Sequence, residues 1–207
     1  MKVAAYLREQ TQLLHRQTEA LVNGAAIMQG NLSPAQYREL IQKNEFLHRQ
    51  LEPLLFQLLS QYDLTEFHSF LHPRLTALEA DLELLALSPA SYALSAPQLS
   101  NASQTLGGLY VLLGSYLGGR VIHKALRENP HLNQITTFHF FSAGRLFPSR
   151  EWPRFCSMLD QNISTAQQME DAAEGAGKVF RFFHAVYQTN NSLKAAGSSQ
   201  YPNLHFS

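Results

Sequence analysis

Residues 106–126 read LGGLYVLLGSYLGGRVIHKAL, and the fold that the sequence predicts is built around this stretch. Its apolar residues recur at helical spacing and it contains no proline, so it predicts a buried or half-buried helix. Five glycines lie within it: Gly107, Gly108, Gly114, Gly118 and Gly119. Each glycine inside a helix costs about 1 kcal/mol relative to alanine. Since whole domains are stable by only about 5–15 kcal/mol, we expect an interaction elsewhere to offset this cost.

One face of this predicted helix carries almost no side chains. At about 100° per residue, Gly107, Val111, Gly114 and Gly118 fall on that face. Two explanations stay open. The first is close helix–helix packing, in which backbones approach one another. The second is a planar ligand lying directly against a helix that its glycines allow to bend. The doubled glycines at both ends and Ser115 slightly favour the planar ligand.

Length, charge and cysteine content restrict the classes to which this protein can belong. The 207 residues suffice for one domain with a sizeable core. Sixteen basic and sixteen acidic residues balance, so neither a nucleic acid nor an anionic membrane is an expected partner. Cys156 is the only cysteine, which excludes an internal disulfide and a cysteine-based metal cluster. No apolar run reaches the roughly 18 residues of a membrane span, and the early charges do not fit a secretory signal. We expect a cytoplasmic protein.

Apolar periodicity and breaker residues predict further helices around this central one. The predicted helices cover residues 3–22, 34–61, 65–71, 74–87, 153–173 and 178–187. Residues 88–103 are rich in turn-forming residues and predict a loop, whereas residues 129–152 predict short helices and turns. We therefore expect an all-α, single-domain helical bundle over residues 1–190, followed by a polar, flexible tail over residues 191–207.

Four residues mark boundaries within these helices. Ser33 is the expected N-cap of a helix whose first residue is Pro34. Pro53 is expected to kink or break that helix. Ser103 is the expected N-cap of the glycine-rich helix.

His15 lies at the edge of the apolar stripe of the first predicted helix, and Glu19 follows one turn later. A histidine in such a position is more often a packed boundary residue than a ligand. A neutral imidazole there could instead ligate an iron, with Glu19 setting its tautomer directly or through water. We interpret His48, in contrast, as structural.

Four segments in the same order resemble conserved blocks of the heme oxygenase family, particularly its bacterial, biliverdin-forming branch. The pattern ExTxxxHxxxE from Glu9 to Glu19 resembles the family's proximal helix. Residues 32–55, LSPAQYRELIQKNEFLHRQLEPLL, and residues 74–85, RLTALEADLELL, resemble the second and third blocks. Residues 106–122 are similar to the signature of the distal helix. The resemblance covers nearly the whole chain, and the last motif is the most specific.

The resemblance implies an oxidoreductase that cleaves heme, which is both its cofactor and its substrate. Heme would lie between the proximal and distal helices with His15 as the ligand of its iron. Oxygen activated at the iron would attack one meso carbon of the porphyrin. The products would be biliverdin, carbon monoxide and ferrous iron, with O2 as co-substrate. A separate reductase, linked to ferredoxin or NADPH, would supply electrons to a monomer or weak homodimer.

The resemblance assigns the distal side to Gly114, Ser115, Gly118 and Gly119, next to Val111. Glycines let the backbone approach bound oxygen and let the helix flex during heme entry and product release. Hydrogen bonds, direct or through water, would control how that oxygen reacts. Ser115 stands where mammalian-type members carry an aspartate that organises water, and Leu113 stands where many bacterial members carry a glutamate.

The resemblance also suggests how the heme carboxylates are held. The lysine and arginine that mammalian-type members use on the penultimate helix are absent, and Cys156 and Asp160 align there. Arg8 is the first choice for this role. Lys124, Lys178 and Arg181 are further choices, although each is also explained as a solvated surface charge. Phe180 would pack on the heme edge, or is simply a core aromatic residue.

Two other functions remain as hypotheses. A non-catalytic heme carrier or sensor on the same fold is supported by Leu113, Ser115 and the missing cations. A different small-molecule enzyme on a related fold, such as a thiaminase-like protein, would need partners for Cys156 that the sequence does not indicate. The position of ring cleavage is not fixed by the sequence.

Overall fold

The computed structural model of the chain describes residues 1–143 and 150–189, with Arg120 described by its backbone only. Within these ranges the chain is helical and contains no strand, as predicted. Two 3-10 helices cover Thr65–Phe70 and Pro130–Leu132. The α-helices are α1 Val3–Leu21, α2 Gly24–Met28, α3 Pro34–Gln61, α4 Leu75–Leu84, α5 Ala102–Arg127, α6 His139–Ala143, α7 Glu151–Asn162 and α8 Ala166–Gln188.

Helix α8 lies at the centre of the packing, because both α5 and α1 run along it. The contact between α5 and α8 depends on glycines from both helices. A Cβ atom at Gly107 would collide with the carbonyl oxygen of Ala172, and one at Gly175 would collide with the backbone of Gln104. Close helix–helix packing is therefore the correct explanation for the glycines of the first turns of α5.

Helix α3 is the longest described helix, and its beginning agrees with the prediction. The amide of Gln36 donates to Oγ of Ser33 at 3.2 Å, and the amide of Ser33 donates to Oε1 of Gln36 at 2.8 Å. Pro53 does not break the helix, which continues to Gln61. Leu51 and Leu55 on either side of Pro53 are fully buried, and this packing holds the helix together across the proline.

Four other predicted boundaries are wrong. Asn101 caps α5 instead of Ser103, since its Oδ1 accepts the amide of Gln104 at 2.8 Å. The predicted helix over residues 153–173 ends at Asn162, and the chain restarts as α8 after the N-cap Thr165. Residues 178–187 belong to that same long helix. Helix α4 ends at Leu84, three residues before the predicted end.

Most of the described helices contribute to one cluster of buried apolar side chains. None of the described helices is long and apolar enough to cross a membrane. The predicted tail over residues 191–207 lies outside the described residues.

Candidate functional site

A cavity of about 680 Å³ lies between α1 and α5, with residues of α8 also lining it. Its volume falls within the range of about 300–1,000 Å³ that is typical of small-molecule sites. Phe140 and Phe141 of α6 and Trp152 of α7 add aromatic surface. The predicted site residues that line the cavity are Arg8, His15, Glu19, Val111, Gly114, Ser115, Gly118, Gly119 and Phe180.

The wall formed by α1 presents the imidazole of His15, whose side chain is 57% exposed. Its Nδ1 lies 3.5 Å from Oε1 of Glu19, one turn later in the same helix. The ring of Phe180 meets the imidazole edge-on, with 5.7 Å between ring centroids. Because Nδ1 is next to the carboxylate, Nε2 is the ring nitrogen left for a ligand. His15 is therefore not a packed core residue.

The wall formed by α5 is bare backbone over its middle turns. A Cβ atom added at Gly118 would meet nothing within 4 Å, and one at Gly114 would meet only the tip of Trp152, at 3.8 Å. At Gly119 the nearest atom would be Nη1 of Arg74, at 3.7 Å. The two explanations for the glycine-bearing face thus apply to different turns. Gly107 packs against α8, whereas Gly114 and Gly118 leave room for a ligand.

The two positions at which the sequence departs from related proteins have different environments. The hydroxyl of Ser115 lines the cavity and donates to the carbonyl oxygen of Leu112 at 2.6 Å. Its oxygen can still accept a hydrogen bond from water. Leu113 is fully buried and does not line the cavity. The leucine therefore packs in the core and leaves the lining of the site unchanged.

Of the predicted basic residues, the structure brings only Arg8 to the cavity. Lys124 is exposed on α5, with its Nζ 3.9 Å from Glu128. Lys178 pairs with Glu174 at 2.9 Å and donates to Oε1 of Gln104 at 2.9 Å, so it joins α8 to α5. Arg181 is exposed on α8 and extends along its own helix. These three side chains lie outside the cavity lining.

Arg16, which the sequence analysis did not single out, also lines the cavity. It follows His15 directly in α1, so its position next to the predicted ligand could have indicated a role. Together with Arg8 it gives the α1 side of the cavity two cationic side chains.

The most informative residue that sequence reasoning missed is Arg74, the N-cap of α4. The residue is only 3% exposed, and its side chain lines the cavity. Cζ of its guanidinium lies 3.6 Å from the centroid of the Tyr116 ring. Its Nη2 has no hydrogen-bond partner among the described residues. Burial lowers the pKa of Arg74 to about 10, so the group remains a cation at neutral pH. No pattern around position 74 marks this arginine as buried.

Glu52 connects this arginine to a second buried group. Its Oε1 accepts the backbone amide of Arg74 at 2.8 Å and lies 2.7 Å from Nδ1 of His48. Burial lowers the pKa of His48, although the carboxylate of Glu52 acts in the opposite direction. The predicted structural role of His48 agrees with its 1% exposure.

The chain is similar to known proteins in both sequence and fold. A curated heme oxygenase of Xanthomonas campestris is 38% identical over 112 residues, which are 54% of this chain and 65% of that protein. The match therefore spans less than two thirds of the relative's length. A heme oxygenase from Neisseria meningitidis, whose crystal structures were determined in NO-bound and CO-bound forms, has the same fold, with a TM-score of 0.67 and 21% identity. That likeness covers 90% of each chain.

The family comparison covers nearly the whole chain. The model of the heme oxygenase family matches residues 1–189, which include every described helix. The predicted family and the predicted fold are therefore both confirmed, and the chain belongs to the heme oxygenase family.

Proposed function

We propose that this chain is a heme oxygenase that binds heme between α1 and α5 and cleaves it at one meso carbon. The observation that carries the proposal is the pair of facing walls, one with the imidazole of His15 and one with bare backbone at Gly118. When bound, heme supplies both the iron at which O2 is activated and the macrocycle that becomes biliverdin, carbon monoxide and ferrous iron.

The α1 wall fits the iron of heme. A neutral imidazole is a common iron ligand, and a carboxylate at its second nitrogen fixes the tautomer and raises its basicity. Glu19 lies in that position, 3.5 Å from Nδ1 of His15. Among the described residues no cluster of three or more metal-binding side chains occurs, so the donor set suits an iron already held by a porphyrin.

The α5 wall fits the flat face of the macrocycle. Gly114 and Gly118 are four positions apart, about one helical turn, and they leave the backbone uncovered. The rest of the lining is largely aromatic or aliphatic, including Val111, Phe141 and Phe183. A porphyrin ring would bury its apolar faces against this surface.

Polar groups on the distal side supply hydrogen bonds where O2 would react. Nη2 of Arg74 is a donor with no acceptor among the described residues, and Oγ of Ser115 can accept a hydrogen bond from water. We propose that these two groups hold water on the distal side, and that this water would deliver protons during the reaction. Arg8 and Arg16 would hold the heme carboxylates at the α1 side of the cavity.

The proposal extends to the partners and location of the protein. Electrons would come from a separate reductase, linked to ferredoxin or NADPH, as the resemblance to the family implies. We further propose a cytoplasmic protein that acts as a monomer or weak homodimer.

A non-catalytic heme carrier or sensor is the second function to consider. It is favoured by the hydroxyl of Ser115, which donates to the carbonyl of Leu112 and so cannot donate the same proton to a bound ligand. A heme complex of this kind would keep an intact ring when it is reduced in air.

A heme titration followed by reduction in air tests the proposal. Wild type, His15→Ala and His131→Ala are titrated with ferric heme and followed by visible spectroscopy; His131 is exposed and does not line the cavity. We expect an altered Soret band only in His15→Ala, with recovery on adding free imidazole. Ascorbate in air should then bleach the wild-type and His131→Ala complexes. A Soret band that persists in wild type would contradict the proposal and favour the carrier.

A further inference from the structure

We propose that Trp152 sets the in-plane position of the bound heme and thereby determines which meso carbon is cleaved. This inference rests on the proposed function. Trp152 is the only tryptophan of the chain and the second residue of α7. It is half-buried and lines the cavity.

The indole ends the bare surface of α5 at one side. A Cβ atom at Gly114 would lie 3.8 Å from Cη2 of Trp152, whereas one at Gly118, a turn later, would meet nothing within 4 Å. A flat ring resting on Gly118 can therefore slide along α5 only until its edge reaches the indole. Trp152 therefore lies where its indole would sterically block the edge of the macrocycle.

The side chain of Trp152 is held in place because it packs against residues of the core. The indole packs against Tyr110 and Phe155, with centroid distances of 5.5 Å and 5.6 Å. Phe155 is fully buried and packs edge-on against Phe67 and Phe70. A side chain held from two sides cannot swing away when a ligand arrives.

Helix α7 contributes the bulky indole of Trp152 to the cavity lining and no charged side chain. Cys156 and Asp160 occupy the positions of this helix at which mammalian-type members of the family carry cations, and neither lines the cavity. The carboxylate of Asp160 instead accepts the amide of Val3 at 2.8 Å. On this side of the site, orientation therefore depends on the indole. Among the described residues, three cationic side chains line the cavity. Arg74 lies beside Gly119, and Arg8 and Arg16 in α1 have long side chains that constrain the ring less tightly.

Proton NMR of the ferric cyanide complex tests the inference without turnover. The shifted resonances of the heme methyl groups report how the ring is seated and in what proportions. The variants are Trp152→Ala, Trp152→Phe and the control Met158→Ala, whose side chain is half-buried on the same helix but outside the cavity. Circular dichroism confirms that each variant folds, and Trp152→Phe keeps the test valid if the alanine variant does not.

We expect one dominant set of methyl resonances in wild type and in Met158→Ala. In Trp152→Ala the ratio of major to minor seating should fall about fivefold, the effect of about 1 kcal/mol on an equilibrium, with a smaller fall in Trp152→Phe. The ratio of biliverdin isomers should shift in parallel. Unchanged seating in a folded Trp152→Ala that binds heme would overturn the inference. A wild-type protein that binds heme but leaves it intact would instead refute the proposed function.

Discussion

At the scale of single residues, the glycines of α5 serve two purposes at different turns of the helix. Gly107 has a neighbouring backbone where its side chain would be, and Gly118 has open space. Helical periodicity placed both on one face, as the structure has them, but which turn meets a helix and which meets a cavity depends on where α8 lies. That placement is a tertiary property.

Replacing each of these glycines by alanine should therefore have opposite effects on the free energy of unfolding. Gly118→Ala is expected to leave stability unchanged or raise it by up to about 1 kcal/mol, the difference in helix propensity. Gly107→Ala should lower it by about 1–3 kcal/mol or more, as overpacking does, because the carbonyl of Ala172 occupies that space. Urea unfolding of the two variants measures this contrast, and equal losses would contradict the assignment.

At the scale of elements, the sequence predicted most helices because their apolar stripes are regular, and it failed where a cap decides the boundary. Thr165 and Gln168 form a capping box that begins α8. The signature T-x-x-Q is present at residues 165–168, but no glycine or proline in residues 162–166 marks the break between α7 and α8. Asn101 was missed for Ser103 because both residue types are good caps and only the backbone distinguishes them.

The short helix α6 depends on a contact from another element, and this gives a prediction. Both carboxylate oxygens of Asp81 in α4 accept hydrogen bonds from backbone amides at the beginning of α6, from His139 at 2.9 Å and from Phe140 at 2.8 Å. Asp81→Ala should lower the free energy of unfolding by about 1–3 kcal/mol, since buried donors lose their partners. It should also weaken heme binding, because Phe140 lines the cavity.

Urea unfolding and heme titration of Asp81→Ala measure these two effects. Asp81→Asn is the matched control, as it keeps one acceptor oxygen and nearly the same volume, and we expect an intermediate loss. Wild-type stability in the alanine variant would show that α6 does not need this contact.

At the scale of the whole molecule, the buried group of His48, Glu52 and Arg74 could not be predicted from the sequence. Its members come from α3 and the start of α4, and only the packing of α5 and α6 above them buries the guanidinium. The same holds for Trp152, which reaches the cavity because α7 crosses beside α5. The sequence indicated His15 and the glycines that line the cavity, whereas Arg74 and Trp152 were found only in the tertiary structure.

Buried His48 gives the molecule a predictable pH dependence of stability. Burial lowers its pKa in the folded protein below the usual 6.5, so in acid the unfolded chain takes up a proton that the folded chain does not. The contribution of His48 to the free energy of unfolding should be fully present above pH 6.5. Below pH 6.5 it should decrease by up to about 1.4 kcal/mol per pH unit. Urea unfolding between pH 7.5 and about 5.5 measures the slope. The slope should be shallower in His48→Gln and unchanged in His131→Gln.

Product analysis of a single turnover tests the central claim most directly. The purified heme complex is supplied with ascorbate in air, with catalase present so that free peroxide cannot attack the ring. We predict that the Soret band disappears and that biliverdin, carbon monoxide and ferrous iron are recovered in equal amounts, and that His15→Ala loses this reaction. Recovery of intact heme from the wild-type complex, with no carbon monoxide, would contradict the account.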